Sequence, residues 1–342
     1  MPSKILILDG GLGTSLESKY SVSFSRSTPL WSSHLLISDP ATLQSCQSDF
    51  GAVPVDVLLT ATYQVSAKGF ADTRTEEFPD GIGRETVPRF LDDAVNIAQR
   101  AVGDKAQVAL SYGPYGACLI PSQEYSGKYD DAHDSESTLE EWHRERLGLF
   151  AEVPDVAKRV SHVALETIPR VDEIIAMRKA LAATPALSDL PYWTSCLSPG
   201  ADLALPDGNS IESAVEAMLD SSVSAKTPWG IGINCTKVDK LDRLLQIFES
   251  TVTRLIEQGR LDAWPALVLY PDGTNGEVYN TTTQKWELPD DAKDQVRSSW
   301  ESQVESVVRA TESRGNWPVI LVGGCCKARS EDIKRLRDRL LG

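Results

Sequence analysis

The segment Pro318–Arg329, PVILVGGCCKAR, is an apolar run that breaks into two glycines and then two adjacent cysteines, Cys325 and Cys326. Side chains alternate across a strand, so neighbouring thiols converge on one point only where the strand has already ended. Gly323 and Gly324 supply that ending. Trp229–Thr236, WGIGINCT, repeats the setting with a short apolar run that closes in Asn234 and Cys235. Three thiols at the carboxyl ends of two buried strands suit a soft metal ion, because thiolates bind zinc strongly and a catalytic zinc keeps one position for substrate. A second reading stays open at this level. No CxxC or HxxxH pattern accompanies the three, and unligated cysteines are among the most buried residues, so they could equally be small packing groups.

Working outward, continuous apolar runs closed by polar or glycine residues recur along the chain. They are Lys4–Gly11 (KILILDGG), Val55–Gln64, Gln107–Gly116, His162–Ile168, Tyr192–Leu197, Trp229–Thr236, Ala266–Gly273 and Val319–Cys326. Such runs predict strands buried on both faces. Between them stand segments of helical periodicity, Val171–Leu181, Ser210–Leu219, Val238–Gln258 and the C-terminal SEDIKRLRDRLLG. Thr138–Glu141 has the form of a capping box ahead of Trp142, Leu147, Leu149 and Phe150. Strand–helix alternation predicts a parallel α/β sheet with crossover helices. Eight such units close into a (β/α)8 TIM barrel, a single domain over residues 1–342 with its active site at the C-terminal ends of the strands. An open doubly wound sheet is the competing arrangement. Two long polar connections, Val65–Arg89 and Ala117–Ser137, leave strand ends and are expected to cover the barrel mouth.

The charge balance, 34 basic against 49 acidic residues for a net −15, argues against a nucleic-acid or anionic-membrane surface. No apolar stretch approaches the ~20 residues of a membrane span. Six cysteines in 342 residues are too few for a secreted disulfide framework, and no signal-peptide pattern precedes the first strand, so a reducing, cytoplasmic setting is expected.

The predicted strand ends carry a coherent set of residues. Asp9, Gly10, Gly11, Gly13 and Thr14 follow the first, Thr62, Tyr63 and Gln64 the second, and Glu166 and Thr167 end the fourth. Asn234 with Cys235, and Cys325 with Cys326, end the sixth and eighth. Two carboxylates beside glycine amides suit an amino acid: Asp9 and Glu166 can take an ammonium group and the amides a carboxylate. Bland alternatives stand beside this. Asp9 can simply cap the next helix, Glu166 can pair with an arginine, and DGGLGT can exist only for its turn. That turn lacks both the GxGxxG order and a GK[ST] ending, which removes nucleotide-binding readings. His34, His133, His143 and His162 are scattered, which counts against a zinc hydrolase or a metal-dependent aldolase.

Taken together, ILILDGGLGTSLE, LLTATYQ, SYGPYGACL, ALETIP, GINCT, LYPDGTNGEVYN and VGGCC resemble the zinc-dependent homocysteine S-methyltransferases over nearly the whole chain. The resemblance implies that Cys235, Cys325 and Cys326 bind Zn(2+). It implies further that Asp9 and Glu166 hold the homocysteine amino group, within a substrate set that includes Gly10, Gly11, Thr14, Thr62, Tyr63 and Asn234. The loop with Tyr125, Gly127 and Tyr129 ahead of TLEEWHRER is similar to the branch that uses S-methylmethionine or S-adenosylmethionine, and aromatic faces there would favour a sulfonium. PDGTNGE departs from the shorter PNxGE of the family. Cys46, Cys118 and Cys196 match no ligand position and read as packing residues, although Cys196 ends the fifth predicted strand and could line the cavity. The implied protein is a monomer or small homo-oligomer that makes methionine; a non-catalytic zinc- or redox-sensing thiol protein is the alternative.

Overall fold

Seven parallel strands follow one another as β1 (Lys4–Ile7), β2 (Val57–Leu59), β3 (Gln107–Tyr112), β4 (His162–Ile168), β5 (Tyr192–Cys196), β6 (Gly230–Asn234) and β7 (Ala266–Tyr270). A small antiparallel hairpin, β8 (Val278–Asn280) with β9 (Lys285–Glu287), precedes the eighth parallel strand, β10 (Val319–Val322). The computed structural model describes residues 2–25, 27–280, 285–287 and 298–342. The sheet order is β1-β10-β7-β6-β5-β4-β3-β2, and every pairing in it is parallel. The ring closes between β1 and β2 through a single parallel bridge, Leu8 to Val57. There the Asp56 amide donates to Ile7 O and the Ile7 amide donates to Asp56 Oδ2, both at 2.7 Å, so a carboxylate stands in for a strand carbonyl. Helices such as Val87–Val102, Glu136–Ala151, Val171–Ala182, Ile211–Leu219 and Val238–Glu257 lie between successive strands, which makes the fold the expected (β/α)8 TIM barrel.

The apolar runs are continuous because both strand faces are buried. Leu8, Ala164, Trp193, Val268, Tyr270 and Leu321 pack inside the barrel, while their neighbours Ile7, Val163, Leu165, Leu267, Leu269, Ile320 and Val322 pack outward under the helices. Large and absent side chains alternate within: Trp193 on β5 stands in register with Gly230 on β6. The Trp193 indole N–H donates to Tyr270 OH at 3.2 Å, satisfying its one donor inside the barrel.

Three expectations shift. The helix read from a Thr138 capping box begins at Glu136, because Ser135 is the N-cap and its hydroxyl accepts from the Thr138 amide. The connection Val65–Arg89 carries a helix of its own, Ala67–Asp72, capped by Ser66, and the next helix starts at Val87 with Pro88 in its first turn, where proline's missing N–H costs nothing. The β8–β9 hairpin has no counterpart in the strand–helix alternation. No helix among the described residues is long and apolar enough to cross a membrane.

Candidate metal and substrate site

Because β10 lies beside β1, the turn that follows each strand meets the other. Gly324 N–H donates to Asp9 O at 3.0 Å, Gly11 N–H to Ala328 O at 2.9 Å, and Lys327 N–H to Thr14 Oγ1 at 2.7 Å. A Cβ on Gly323 would overlap Asp9 O, and one on Gly11 would overlap Cys325 O, so these glycines are set by close backbone approach. The Gly11 amide, read from sequence as a carboxylate donor, is thereby committed to Ala328, and the Thr14 hydroxyl accepts from Lys327 and donates to Gly11 O.

The interlocked turns bring three sulfurs together. The Sγ atoms of Cys235, Cys325 and Cys326 all lie within 4.8 Å of one another, and among the described residues this is the one group of three potential ligands so placed. Cys235 and Cys325, 5.5 Å apart at Cα, are paired as a disulfide, an oxidised form of the cluster that must be reduced before all three sulfurs can act as thiolate ligands, and Cys326 is free. Burial pushes the Cys326 thiol up to about 11, with the charges of Asp272 and Glu124 adding to the shift. Such a thiol parts with its proton near neutral pH only if a cation takes the proton's place. Three convergent sulfurs, that of Cys235 buried and those of Cys325 and Cys326 half-buried, therefore fit a thiophilic divalent ion of tetrahedral preference, and three ligands would leave its fourth position for a substrate.

Asn234 fixes the approach of Cys235. Its Oδ1 accepts from the Thr167 amide at 3.0 Å, and its Nδ2 donates to Thr167 Oγ1 at 2.6 Å and to Cys235 Sγ at 3.3 Å. Both partners sit in left-handed backbone, Thr167 at φ 62° and Cys235 at φ 46°, a region costly for residues with a Cβ. One buried amide thus clamps the ends of β4 and β6.

Asp9 and Glu166 face the same mouth. Asp9 is buried, its Oδ2 accepts from the Leu59 amide at 2.9 Å, and its Oδ1 has no partner. Burial raises its pKa well above the usual carboxylate range, and the nearby Glu166 charge adds to this. Glu166 accepts from the Ser111 hydroxyl and shares a hydrogen bond with Tyr270; burial lifts it to about 7. An incoming ammonium would give Asp9 Oδ1 a partner and offset the buried charge of both.

The remaining expected residues divide. Tyr63 shares a hydrogen bond with Thr167 at the mouth. The Thr62 hydroxyl is used inside the wall, donating to Ser111 O and pairing with Thr60 Oγ1, both at 2.7 Å. Tyr125 OH stands 4.0 Å from Cys326 Sγ. Tyr129, expected beside it, is engaged elsewhere: its hydroxyl donates to buried Glu173, and the Arg170 guanidinium lies 4.9 Å from its ring centre. Glu173 also accepts from the Tyr115 amide at 2.6 Å and bonds His143 Nε2 at 3.0 Å, so the Glu173–His143 pair anchors the start of the loop. PDGTNGE joins the site through Gly273 N–H, which donates to Cys326 O at 2.6 Å. Cys46 and Cys196 are packed in the hydrophobic core, as expected.

Sequence reasoning did not single out Glu124, Ser111, Tyr270 or Asp272. Ser111 and Tyr270 follow once the inward face of each strand is known; Glu124 sits in a polar loop where no periodicity marks it.

The fold is a parallel (β/α)8 barrel that gathers three sulfurs and two buried carboxylates at the C-terminal ends of its strands, the end where barrels of this class do their chemistry. The family described as homocysteine S-methyltransferase matches residues 6–340, and the chain belongs to it. It is 28% identical over 351 residues to Homocysteine S-methyltransferase 1 of Brassica oleracea var. italica, covering 96% of this chain and 93% of that protein. It is 27% identical over 323 residues to a Betaine-homocysteine S-methyltransferase of Drosophila melanogaster, covering 90% and 86%, so identity alone does not separate the donors named for relatives. The fold also matches the homocysteine methyltransferase MmuM from Escherichia coli, metallated form, at TM-score 0.69 and 24% identity over 98% of this chain and 96% of that one.

Proposed function

We propose that this protein is a zinc-dependent, cytoplasmic homocysteine S-methyltransferase. It makes methionine from a sulfonium donor, S-methylmethionine in preference to S-adenosylmethionine, with residues 1–342 forming one homocysteine-binding domain. What supports this reading is that the Asp9 turn is hydrogen-bonded to the turn bearing Cys325 and Cys326, and that Thr167, next to Glu166, is clamped to Asn234, next to Cys235. Cys235, Cys325 and Cys326 would hold the zinc, which supplies Lewis acidity that keeps the substrate thiol deprotonated at neutral pH.

The chain's own residues do the rest. Asp9 and Glu166 take the homocysteine ammonium and so fix the direction of its side chain. Homocysteine sulfur then attacks the donor methyl carbon; the new S–C bond forms as the bond to the sulfonium sulfur breaks, and that electron pair leaves on a neutral thioether. No general acid is needed, which agrees with the commitment of His143 to Glu173. The Tyr125 side chain, whose hydroxyl stands 4.0 Å from Cys326 Sγ, would stabilise a sulfonium seated against its ring by about 0.5–2 kcal/mol. A zinc- or redox-sensing protein would have no use for two buried carboxylates beside the thiols.

The test is methionine formation from homocysteine with S-methylmethionine, S-adenosylmethionine and betaine in turn, with and without a chelator. The expected order of kcat/KM is S-methylmethionine, then S-adenosylmethionine, with betaine inactive and chelation abolishing product. A preference for betaine or for S-adenosylmethionine overturns the donor assignment, and no methionine from any donor overturns the whole reading.

A further inference from the structure

A third carboxylate stands at the thiols. Glu124 belongs to the loop after β3, is only 7% exposed, and its Oε2 has no hydrogen-bond partner. The hydroxyl of the next residue, Tyr125, reaches to 4.0 Å from Cys326 Sγ, so the loop carrying Glu124 stands at the thiol mouth. Its charge acts on Cys326, Tyr125 and Tyr63. The loop is held in place: Gln123 N–H donates to Gly116 O at 2.8 Å and Gly127 N–H donates to Gln123 O at 2.8 Å. A buried carboxylate oxygen left unmatched costs free energy unless a ligand completes it.

The proposed chemistry brings two amino acids into one mouth, and each carries an ammonium group. Homocysteine has the Asp9–Glu166 pair. We infer that Glu124 binds the ammonium group of the methyl donor and so selects sulfonium donors that carry an amino group over donors that lack one. The inference rests on the function proposed above. It explains donor choice by hydrogen bonding: betaine, whose nitrogen is quaternary, has no N–H to give the unpartnered Glu124 oxygen. Burial lifts Glu124 to about 7, so an arriving ammonium would tip it into its ionised form near neutral pH.

The experiment compares two donors on the zinc-loaded enzyme with homocysteine saturating: S-methylmethionine, and dimethylsulfoniopropionate, a sulfonium with the carboxylate but no ammonium. Glu124→Gln should lower kcat/KM for S-methylmethionine about tenfold or more, chiefly through KM, as expected for a lost charge-assisted hydrogen bond. The value for dimethylsulfoniopropionate should stay within about twofold, so the preference between them collapses. Because the ratio is taken on one preparation, a reduced folded fraction cannot imitate the result. Equal losses for both donors would make Glu124 a structural support of the loop and overturn the inference, as would an unchanged ratio. Wild-type protein that methylates homocysteine from neither donor overturns the proposed function itself, and this is seen before any substitution is made.

Discussion

Replacing Asn234 with alanine tests whether the clamp between β4 and β6 defines the metal site. The substitution deletes the acceptor of the Thr167 amide and the donor to Thr167 Oγ1 and Cys235 Sγ. Asn234 is only 1% exposed, so water does not readily take its place. An orphaned buried N–H costs about 1–3 kcal/mol, and the lost hydroxyl bond adds about 0.5–1.5 kcal/mol. The left-handed backbone at Thr167 and Cys235, unfavourable by about 1–2 kcal/mol each, then loses the bonds that oppose its relaxation. The expected loss is about 2–4 kcal/mol of stability in the reduced, metal-free protein, read as a lower urea midpoint. As Cys235 swings, zinc affinity should fall about tenfold to a hundredfold in a chelator competition, as for other losses of a group that orients a ligand. A variant with the parental urea midpoint and zinc affinity would refute the clamp.

Three further outcomes follow from the same site. Cys325→Ser should lose nearly all bound zinc in metal analysis together with activity, and full occupancy would remove Cys325 from the ligand set. Glu166→Gln should raise the homocysteine KM about tenfold with zinc content intact, for loss of a charge-assisted bond to the ammonium. The same carboxyl sets a pH dependence: its pKa is about 7 when folded against an ordinary 4.5, so the folded protein binds more protons between those values. Stability of the substrate-free enzyme should therefore fall as pH rises through that window, and the glutamine variant should flatten the slope in denaturation midpoints taken at pH 5 and pH 7.

Strand positions were readable because burial on both faces leaves an unmistakable mark, an apolar run that ends in glycine or a polar group. The observed β4 coincides with His162–Ile168, and the three thiols fall together as their strand-end positions implied. Less was readable where partners are distant in sequence. Nothing local tells that Gly11 N–H is taken by Ala328 O, or that the Thr62 hydroxyl turns to Ser111 rather than to substrate. Tyr125 and Tyr129 look alike in the chain, yet one stands over Cys326 and the other is drawn to Glu173, a buried acid on a helix that follows β4. Side-chain direction in an irregular loop depends on such tertiary partners, and composition does not encode it.

The place of β10 between β1 and β7 also sets an order in time. A chain leaving the ribosome exposes Asp9 and Cys235 long before Cys325 and Cys326 exist. Until β10 docks, β1 touches the rest of the sheet only through its single bridge to β2. The complete thiol set and the closed barrel therefore come into being in the same step, the docking of β10. An ion held by all three sulfurs would therefore meet a ring already closed, and a chain stopped before β10 would have neither the ring nor the full thiol set.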